Sequence, residues 1–178
     1  MKMIPKTTPN SRRQRGIAAV EMAIIVLPML LLCFGITEIG RALYQYNGLV
    51  KATRGAARFL SQQNLASPPP NSSADIIREQ AKSLAYCGKL DCKDDGDPDT
   101  PPIPPNVTAL KFDMISLCDP VACPATHANI STGQGTTSLV SVVIGAGDNP
   151  FKFTSLIPFL IPSIDFAPVS ITMAASNN

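Results

Sequence analysis

The residues best suited to chemistry lie near the start of the chain, where a long apolar run follows Gly16 and carries one carboxylate, Glu21. A carboxylate within a membrane-like helix is costly and requires a partner. A cut after Gly16 would give Ile17 an α-amine with a pKa of about 7.7 to 8.0, mostly protonated and at the positive end of the helix dipole. Glu21 lies one turn away. The spacing predicts an ammonium–carboxylate pair, within one helix or between neighbouring chains, where it would set their axial register.

The segment that positions this pair has the length of a membrane span. Residues 17–37 are apolar except for Glu21 and Thr37, and about 20 such residues cross the hydrocarbon core. The run is longer than the roughly 7 to 15 apolar residues of a secretory signal peptide, and no small-residue cleavage pattern follows it. We therefore expect a retained single span. In an uncut chain, Glu21 could instead extend to the interface near Arg15 and act as an anchor.

Charge gives the expected orientation and excludes some functions. All five charged residues of the leader, 1–16, are basic: Lys2, Lys6, Arg12, Arg13 and Arg15. Because cytoplasmic flanks carry such an excess, the leader should lie in the cytoplasm and the C-terminal domain in the periplasm, on the outer side of a bacterial inner membrane. No basic stripe occurs elsewhere, which argues against a nucleic-acid partner. With a single histidine, His127, and no nucleophile motif, we expect neither an enzyme nor a cofactor.

The helix should continue beyond the membrane. Apolar residues recur at three- and four-residue intervals, which predicts one helix over 17–61 whose second half, 38–61, is amphipathic. The predicted apolar stripe is Ile36, Ile39, Leu43, Tyr46, Val50, Thr53, Ala57 and Leu60, with Glu38, Arg41, Gln45, Lys51, Arg54, Arg58 and Gln62 on other faces. The stripe should pack against the remaining domain or neighbouring chains. Pro28 should loosen the helix locally.

The remaining residues, 62–178, predict a small α+β domain. Ser72 and Asp75 resemble a capping box that opens a second helix through Tyr86, with Gly88 as its stop. Proline-rich loops are expected at 67–71 and 94–106. Alternating or β-branched runs predict strands at 110–114, 139–144 and 169–175, and an apolar segment at 156–162 should cover a sheet edge or stay partly exposed. A three-stranded antiparallel sheet packed on the amphipathic helix is the simplest architecture.

Four cysteines beyond the span form two C-x4-C pairs: Cys87, Cys92, Cys118 and Cys123. An even number in an oxidising compartment favours disulfides, and of the three possible connectivities the two local pairings are preferred over links between the pairs. Zinc bound by Cys118, Cys123 and His127 is the alternative, but we expect no metal. Cys33, within the span, is interpreted as an apolar filler.

Two shorter motifs do not support sites. Asp91, Asp95 and Gly96 fit three positions of a calcium loop, but Lys93 and Pro102 occupy ligand positions, so a solvated loop is the better interpretation. The Gly-x-Gly at the end of 142–147 lacks the third glycine and the helix of a dinucleotide fingerprint, and we interpret it as a strand end with a turn.

Residues 12–58 resemble the N-terminal region of TadE-like pseudopilins, membrane proteins of the tight-adherence (Flp, type IVc) pilus machinery. The matching positions are Arg15, Gly16, Ala18, Ala19, Val20, Glu21, Leu27, Pro28, Phe34, Gly35, Glu38, Gly40, Arg41, Ala42, Ala57 and Arg58. Members with this pattern are regarded as minor pilin-like subunits. The major Flp pilin is much shorter, so a chain with a domain after Leu60 is expected in the accessory class.

The resemblance implies cleavage between Gly16 and Ile17 by a membrane aspartyl prepilin peptidase, with Arg12, Arg13 and Arg15 as leader charges. It also implies work in pilus biogenesis and adherence, with the major Flp pilin, other pseudopilins, the inner-membrane Tad assembly platform and membrane lipid as partners. Two alternatives remain: an uncleaved single-pass scaffold or binding module of the same secretion machinery, and a membrane-anchored metal-binding domain.

Overall fold

The computed structural model describes residues 11–70, 72–92, 110–147, 149–158 and 161–175, with side chains from Gly16 onward. The helices are α1 (Ser11–Ser61), α2 (Ala74–Cys87) and α3 (Pro124–His127). The strands are β1 (Ile115–Cys118), β2 (Ile130–Ser131), β3 (Thr136–Thr137), β4 (Leu139–Ile144), β5 (Lys152–Phe153), β6 (Ile164–Asp165) and β7 (Val169–Ala174), and a 3₁₀ turn spans Phe112–Met114. The predicted loop 94–106 lies outside the described residues, whereas 67–70 lie outside any helix or strand, as expected.

α1 is one continuous helix that joins an uncovered N-terminal half to the folded domain. It begins at Ser11, earlier than the predicted Ile17, and passes through Pro28 to end at Ser61. From Gly16 to Phe34 its side chains are exposed, and the domain packs on the half that follows. α1 therefore has an exposed N-terminal half and a C-terminal half that forms one side of the core.

α2 shows how local sequence sets helix ends, with one correction. The N-cap is Ser73 rather than Ser72, because the Ser73 hydroxyl accepts the Ile76 N–H at 3.2 Å. Gly88 ends the helix as predicted: it is left-handed, with φ 75°, and its N–H donates to the Leu84 carbonyl. Glycine adopts this conformation without the steric cost that a β-carbon would add.

The main sheet is antiparallel with strand order β1-β4-β7, which confirms the α+β class and the three-stranded sheet. β4 and β7 fall at the predicted positions and pair from Leu139 with Ala174 to Ile144 with Val169. The first predicted strand, 110–114, is wrong. β1 begins at Ile115, opposite Ile144, and the residues before it form the 3₁₀ turn instead. Two short pairs, β2–β3 and β5–β6, were not predicted.

The core lies between α1, α2 and the main sheet. One cluster joins Leu49 and Ala56 of α1 to Tyr86 of α2 and to Val142 and Ile144 of β4. A second cluster lies further along α1 and contains Leu60, Leu65, Ile77, Ala81 and Val140. The sheet therefore covers only the second half of α1, and the other described residues leave the first half exposed.

The predicted apolar stripe of α1 is wrong in its first half. Ile36, Ile39 and Leu43 are 70%, 55% and 58% exposed, whereas Glu38 and Gln45, which were assigned to other faces, are buried. Further along, Thr53, Ala57 and Leu60 are fully buried, as predicted. Thr53 satisfies its hydroxyl by donating to the Leu49 carbonyl at 2.7 Å, which allows a polar residue inside the core.

Candidate functional site

The N-terminal half of α1 is an apolar surface with no cover from the rest of the described chain. By length and composition this helix could cross a membrane, and no part of its most apolar window is buried. Its exposed large side chains include Ile17, Val20, Met22, Ile24, Ile25, Leu27, Met29, Leu30, Leu31, Leu32 and Phe34. Removing so much apolar surface from water is favourable, at about 25 cal/mol per Å². This surface is consistent with membrane anchoring, as the sequence predicted.

The predicted cleavage and assembly residues share one face of this helix. Gly16, Ile17, Val20, Glu21 and Ile24 line a single shallow groove along α1. Ile17 and Glu21 are four residues apart, the spacing at which helix side chains are neighbours. Glu21 is exposed and forms no hydrogen bond or ion pair with the side chains described from residue 16 onward. Its carboxylate is thus available to an amine at Ile17 or to a second chain.

Packing against the described part of the chain does not require glycine at position 16. A β-carbon placed there meets no atom within 4 Å, and its φ is not in the left-handed region. Alanine would be the better helix former, by about 1 kcal/mol. The side chains of Arg12, Arg13 and Arg15 lie outside the described part, although the backbone is helical from Ser11 onward.

A polar network that the sequence did not predict lies where the uncovered half of α1 ends. Arg41 donates to a Glu38 carboxylate oxygen at 2.9 Å and to the Thr154 carbonyl at 2.7 Å. The hydrogen bond from Arg41 lowers the pKa of Glu38, against the opposing effect of burial, and the nearby Leu156 N–H and Ser155 hydroxyl lower this pKa further. The three-residue spacing of Glu38 and Arg41 could have indicated their ion pair from the sequence. The Thr154 carbonyl that also binds Arg41 could not be predicted, because it lies 113 residues away in the sequence.

A second network ties α2 to the loop enclosed by Cys118 and Cys123. Asp119 is fully buried and binds Arg78 through two hydrogen bonds, at 2.6 Å to Nε and 3.1 Å to Nη2. It also accepts the Val121 and Ala122 N–H groups at 2.8 and 2.9 Å. Burial raises the pKa of Asp119, but the hydrogen bonds from Arg78 and the two N–H groups lower it by more. This network fixes the loop and is structural.

The four cysteines that follow α1 are joined locally in the structure, Cys87 to Cys92 and Cys118 to Cys123. These are the pairings that the sequence favoured. The fifth, Cys33, is a free thiol on the exposed half of α1.

The metal alternative rests on one group of side chains. Ligand atoms of Cys118, Cys123 and His127 lie within 4.8 Å of one another. The two sulfurs are bonded to each other, however, and the His127 ring nitrogens lie 2.8 Å from the Thr126 and Ser141 hydroxyls. A metal would have to displace all of these interactions, because thiolates and a free imidazole nitrogen are the ligands that zinc needs. The arrangement therefore fits a packed, hydrogen-bonded histidine better than a metal site.

Comparison with known proteins agrees with the N-terminal resemblance. No curated protein and no solved structure matches the chain. The family model for TadE-like proteins matches residues 16–58, which cover α1 from Gly16 to its last turn. Over these residues the predicted resemblance is confirmed, and the match is consistent with a TadE-like protein of the Tad/Flp pilus system.

Proposed function

We propose that this protein is a minor pilin-like subunit required for the biogenesis of Tad/Flp pili and for adherence. In this proposal a prepilin peptidase cuts after Gly16, and the mature chain spans the inner membrane once, with its N-terminus on the cytoplasmic side. The domain that follows α1 lies in the periplasm. The major Flp pilin, other pseudopilins and the inner-membrane Tad platform are the partners.

The observation that carries the proposal is the family match, which begins at Gly16 and includes Ile17 and Glu21, the residues that processing and assembly would use. The described atoms around Gly16 also leave room for a β-carbon, so packing against them does not require glycine. A glycine that packing does not require can be explained by recognition by another protein. A peptidase that needs a small residue before the scissile bond supplies such a reason.

Glu21 supplies the assembly step. An exposed carboxylate in lipid is costly, and a protonated amine at Ile17 would neutralise it one turn away. In a bundle of parallel helices the amine of one chain can meet Glu21 of the next, which favours one axial offset over the others. The uncovered apolar half of α1 then packs against lipid before assembly and against neighbouring helices after it.

Processing is tested by the mature N-terminus. Terminal-peptide sequencing and intact mass of the membrane-extracted protein should show Ile17 as the first residue. Gly16→Leu should block the cut without harming α1, because a peptidase that needs a small residue there would not accept a large side chain, whereas Gly35→Leu, also at a helix glycine with open space around it, should be processed normally. Recovery of Met1 from the unmodified chain would refute processing and leave a membrane-anchored scaffold.

Assembly is tested separately with Glu21→Ala and the near-isosteric Glu21→Gln. Both variants should be cut and inserted like the unmodified chain, because the prepilin peptidase acts at Gly16, but both should reduce pilus yield in cells that lack the native copy. Met22→Ala, an exposed change on the neighbouring face, is the matched control and should assemble normally. Full piliation with Glu21→Gln would contradict the ion-pair argument.

A further inference from the structure

We propose that the connection between β5 and β6 docks into the outer leaflet of the lipid bilayer, beside the point where α1 leaves the membrane. The docking surface consists of the described residues of that connection, 156–158 and 161–162, and we call it the β5–β6 tip. The inference rests on the proposed function, because it requires 17–37 to span the membrane.

The β5–β6 pair runs along α1 toward the membrane. Phe166, just after β6, packs edge-on against Tyr46 with ring centroids 5.5 Å apart. Phe153 of β5 lies under the Arg41 guanidinium, whose Cζ is 4.5 Å from the ring centroid. Ile161 then lines one groove with Glu38 and Ile39 of α1. These contacts descend α1 by eight residues, or about 12 Å at 1.5 Å per residue.

The β5–β6 tip therefore lies at the boundary of the span. Glu38 is the first residue after the apolar run that ends at Thr37, so a group bound to Glu38 sits within one helical turn of the hydrocarbon core. Contacts around Glu38 fix this position: Arg41 bridges Glu38 to the Thr154 carbonyl, and the Ser155 hydroxyl accepts the Ile157 N–H at 3.0 Å. The tip is held against α1 rather than left to move freely.

The tip exposes apolar groups where a protein in water would bury them. Leu156 is 76% exposed, the highest exposure among the large apolar side chains described, and Pro158 and Pro162 are also exposed. A single exposed leucine needs no explanation, but this one continues a larger surface. Ile36, Ile39, Leu43 and Ile164 are 70%, 55%, 58% and 40% exposed. An apolar groove of about 230 Å³, whose lining includes Ile39, Leu43 and Ile161, lies between them.

Lipid is the occupant that this surface fits. The surface is continuous with the lipid-facing side of α1, and interfacial segments bury their apolar face about 5 to 10 Å into the boundary of headgroups and acyl chains. The two charges at its edge, Glu38 and Arg41, form an ion pair with each other at 2.9 Å. Lys152 and Asp165, 3.9 Å apart across β5 and β6, lie further from the tip and remain exposed to water.

The chain offers a clean fluorescence test because it contains no tryptophan. Full-length protein is reconstituted in phosphatidylcholine vesicles whose acyl chains carry bromine either near the headgroup or near the chain end. Single tryptophans are introduced as Leu156→Trp at the tip and as Leu27→Trp at the middle of the span. Ile76→Trp, on the exposed side of α2 beside Ile77, is the distant control, because Ile77 packs with Leu60, about 35 Å beyond Thr37 along α1.

We expect Leu156→Trp to be quenched, and more strongly by shallow bromines than by deep ones, while Leu27→Trp shows the opposite depth order and Ile76→Trp is not quenched. If Leu27→Trp is quenched but Leu156→Trp behaves like Ile76→Trp, the docking proposal is overturned and the membrane span stands. If Leu27→Trp is not quenched, the proposed membrane function fails and the docking proposal fails with it. A Leu156→Trp signal that becomes shielded only as protein concentration rises, without bromine quenching, assigns the tip to a second copy and also overturns lipid docking.

A second reporter separates lipid contact from local structure. Ile164→Trp, in β6 at the edge of the same groove, should be quenched weakly by shallow bromines. Adding Leu156→Asp should remove that quenching, because a charge at the tip is costly to bury in lipid, whereas Leu156→Ala should keep most of it. Equal loss of quenching with Asp and with Ala would overturn the proposal that insertion of the tip positions this hairpin.

Discussion

Replacing Arg78 by methionine should destabilise the domain by about 3 kcal/mol. The Asp119 carboxylate, fully buried, would keep two backbone N–H donors and lose both charged hydrogen bonds, at 2.6 and 3.1 Å. Removing one partner from a buried ion pair costs about 3 to 5 kcal/mol, because the other charge is left unpaired. The Arg78 side chain is 21% exposed, so water can partly replace it, which favours the lower end of that range.

Thermal unfolding of the full chain in detergent, followed by the near-ultraviolet circular dichroism of its tyrosines, measures this loss. A change of about 3 kcal/mol corresponds to a melting temperature lower by about 6 to 12 °C for a protein of this size. The matched control is Asp75→Asn, which removes the other carboxylate bound to Arg78. That carboxylate is 89% exposed, so its loss should change stability by less than about 0.5 kcal/mol. If Arg78→Met melts no lower than Asp75→Asn, the reasoning is wrong.

The same pair predicts a pH dependence. Because the pKa of Asp119 is lowered in the folded state, its ionised form contributes stability above the unfolded value of about 3.9. That contribution is lost as the pH falls through the lowered folded pKa. The gap in melting temperature between the unmodified chain and Arg78→Met should therefore be constant near neutral pH and close at strongly acidic pH. A gap that stays unchanged into that range would contradict the assignment to Asp119.

Three further predictions test other parts of the structure. Intact mass after alkylation without reductant should show one modified thiol, Cys33, and after reduction in denaturant it should show five. Two or more modified thiols before reduction would contradict the disulfides. Leu49→Ala should lower the free energy of unfolding in denaturant by about 2 to 5 kcal/mol, because Leu49 is fully buried, whereas Leu43→Ala should change it very little, because Leu43 is 58% exposed. Equal losses would indicate that Leu43 is buried, as the predicted apolar stripe had it. Gly88→Ala should lower the melting temperature because of its φ of 75°, whereas Gly55→Ala, with open space around it, should raise it slightly; a change of the same sign in both would contradict this account.

Local signals in the sequence were sufficient where the structure depends on neighbours along the chain. The Gly88 stop, β4 and β7 were correct because each depends on a turn residue or on an apolar pattern that its immediate surroundings preserve. The N-cap shifted by one residue, since Ser72 and Ser73 are both good caps and only geometry selects between them.

The errors arose where distant contacts decide. The alternation of Leu110, Phe112 and Met114 fits a strand, but pairing with β4 extends back only to Met114, whose carbonyl accepts the Gly145 N–H at 3.0 Å. Phe112 instead packs edge-on against Tyr86 of α2, 6.1 Å between centroids, and the 3₁₀ turn allows this. Tertiary packing thus overrides a local β pattern.

The candidate site divides in the same way. Gly16, Ile17 and Glu21 could be placed on one helix face from spacing alone, because nothing else in the described chain touches them. The burial of Glu38 could not be predicted, since the Thr154 carbonyl that binds its partner Arg41, and the neighbouring Ser155 and Leu156, come from the far end of the sequence. Hydrophobic periodicity predicts that a glutamate lies on the surface, because it carries no information on contacts with residues more than a hundred positions away.

The continuity of α1 has a mechanical consequence. The helix runs without a break from its exposed apolar residues to Leu60 in the second core cluster, so no loop lies between its exposed half and the folded domain. A displacement of the residues that follow Pro28 by one turn along the helix axis should therefore move the sheet and both disulfides by the same distance, about 5.4 Å. A rotation of this part of the helix about its axis should likewise rotate the folded domain, so that a force applied to the exposed half reaches the domain without an intervening linker.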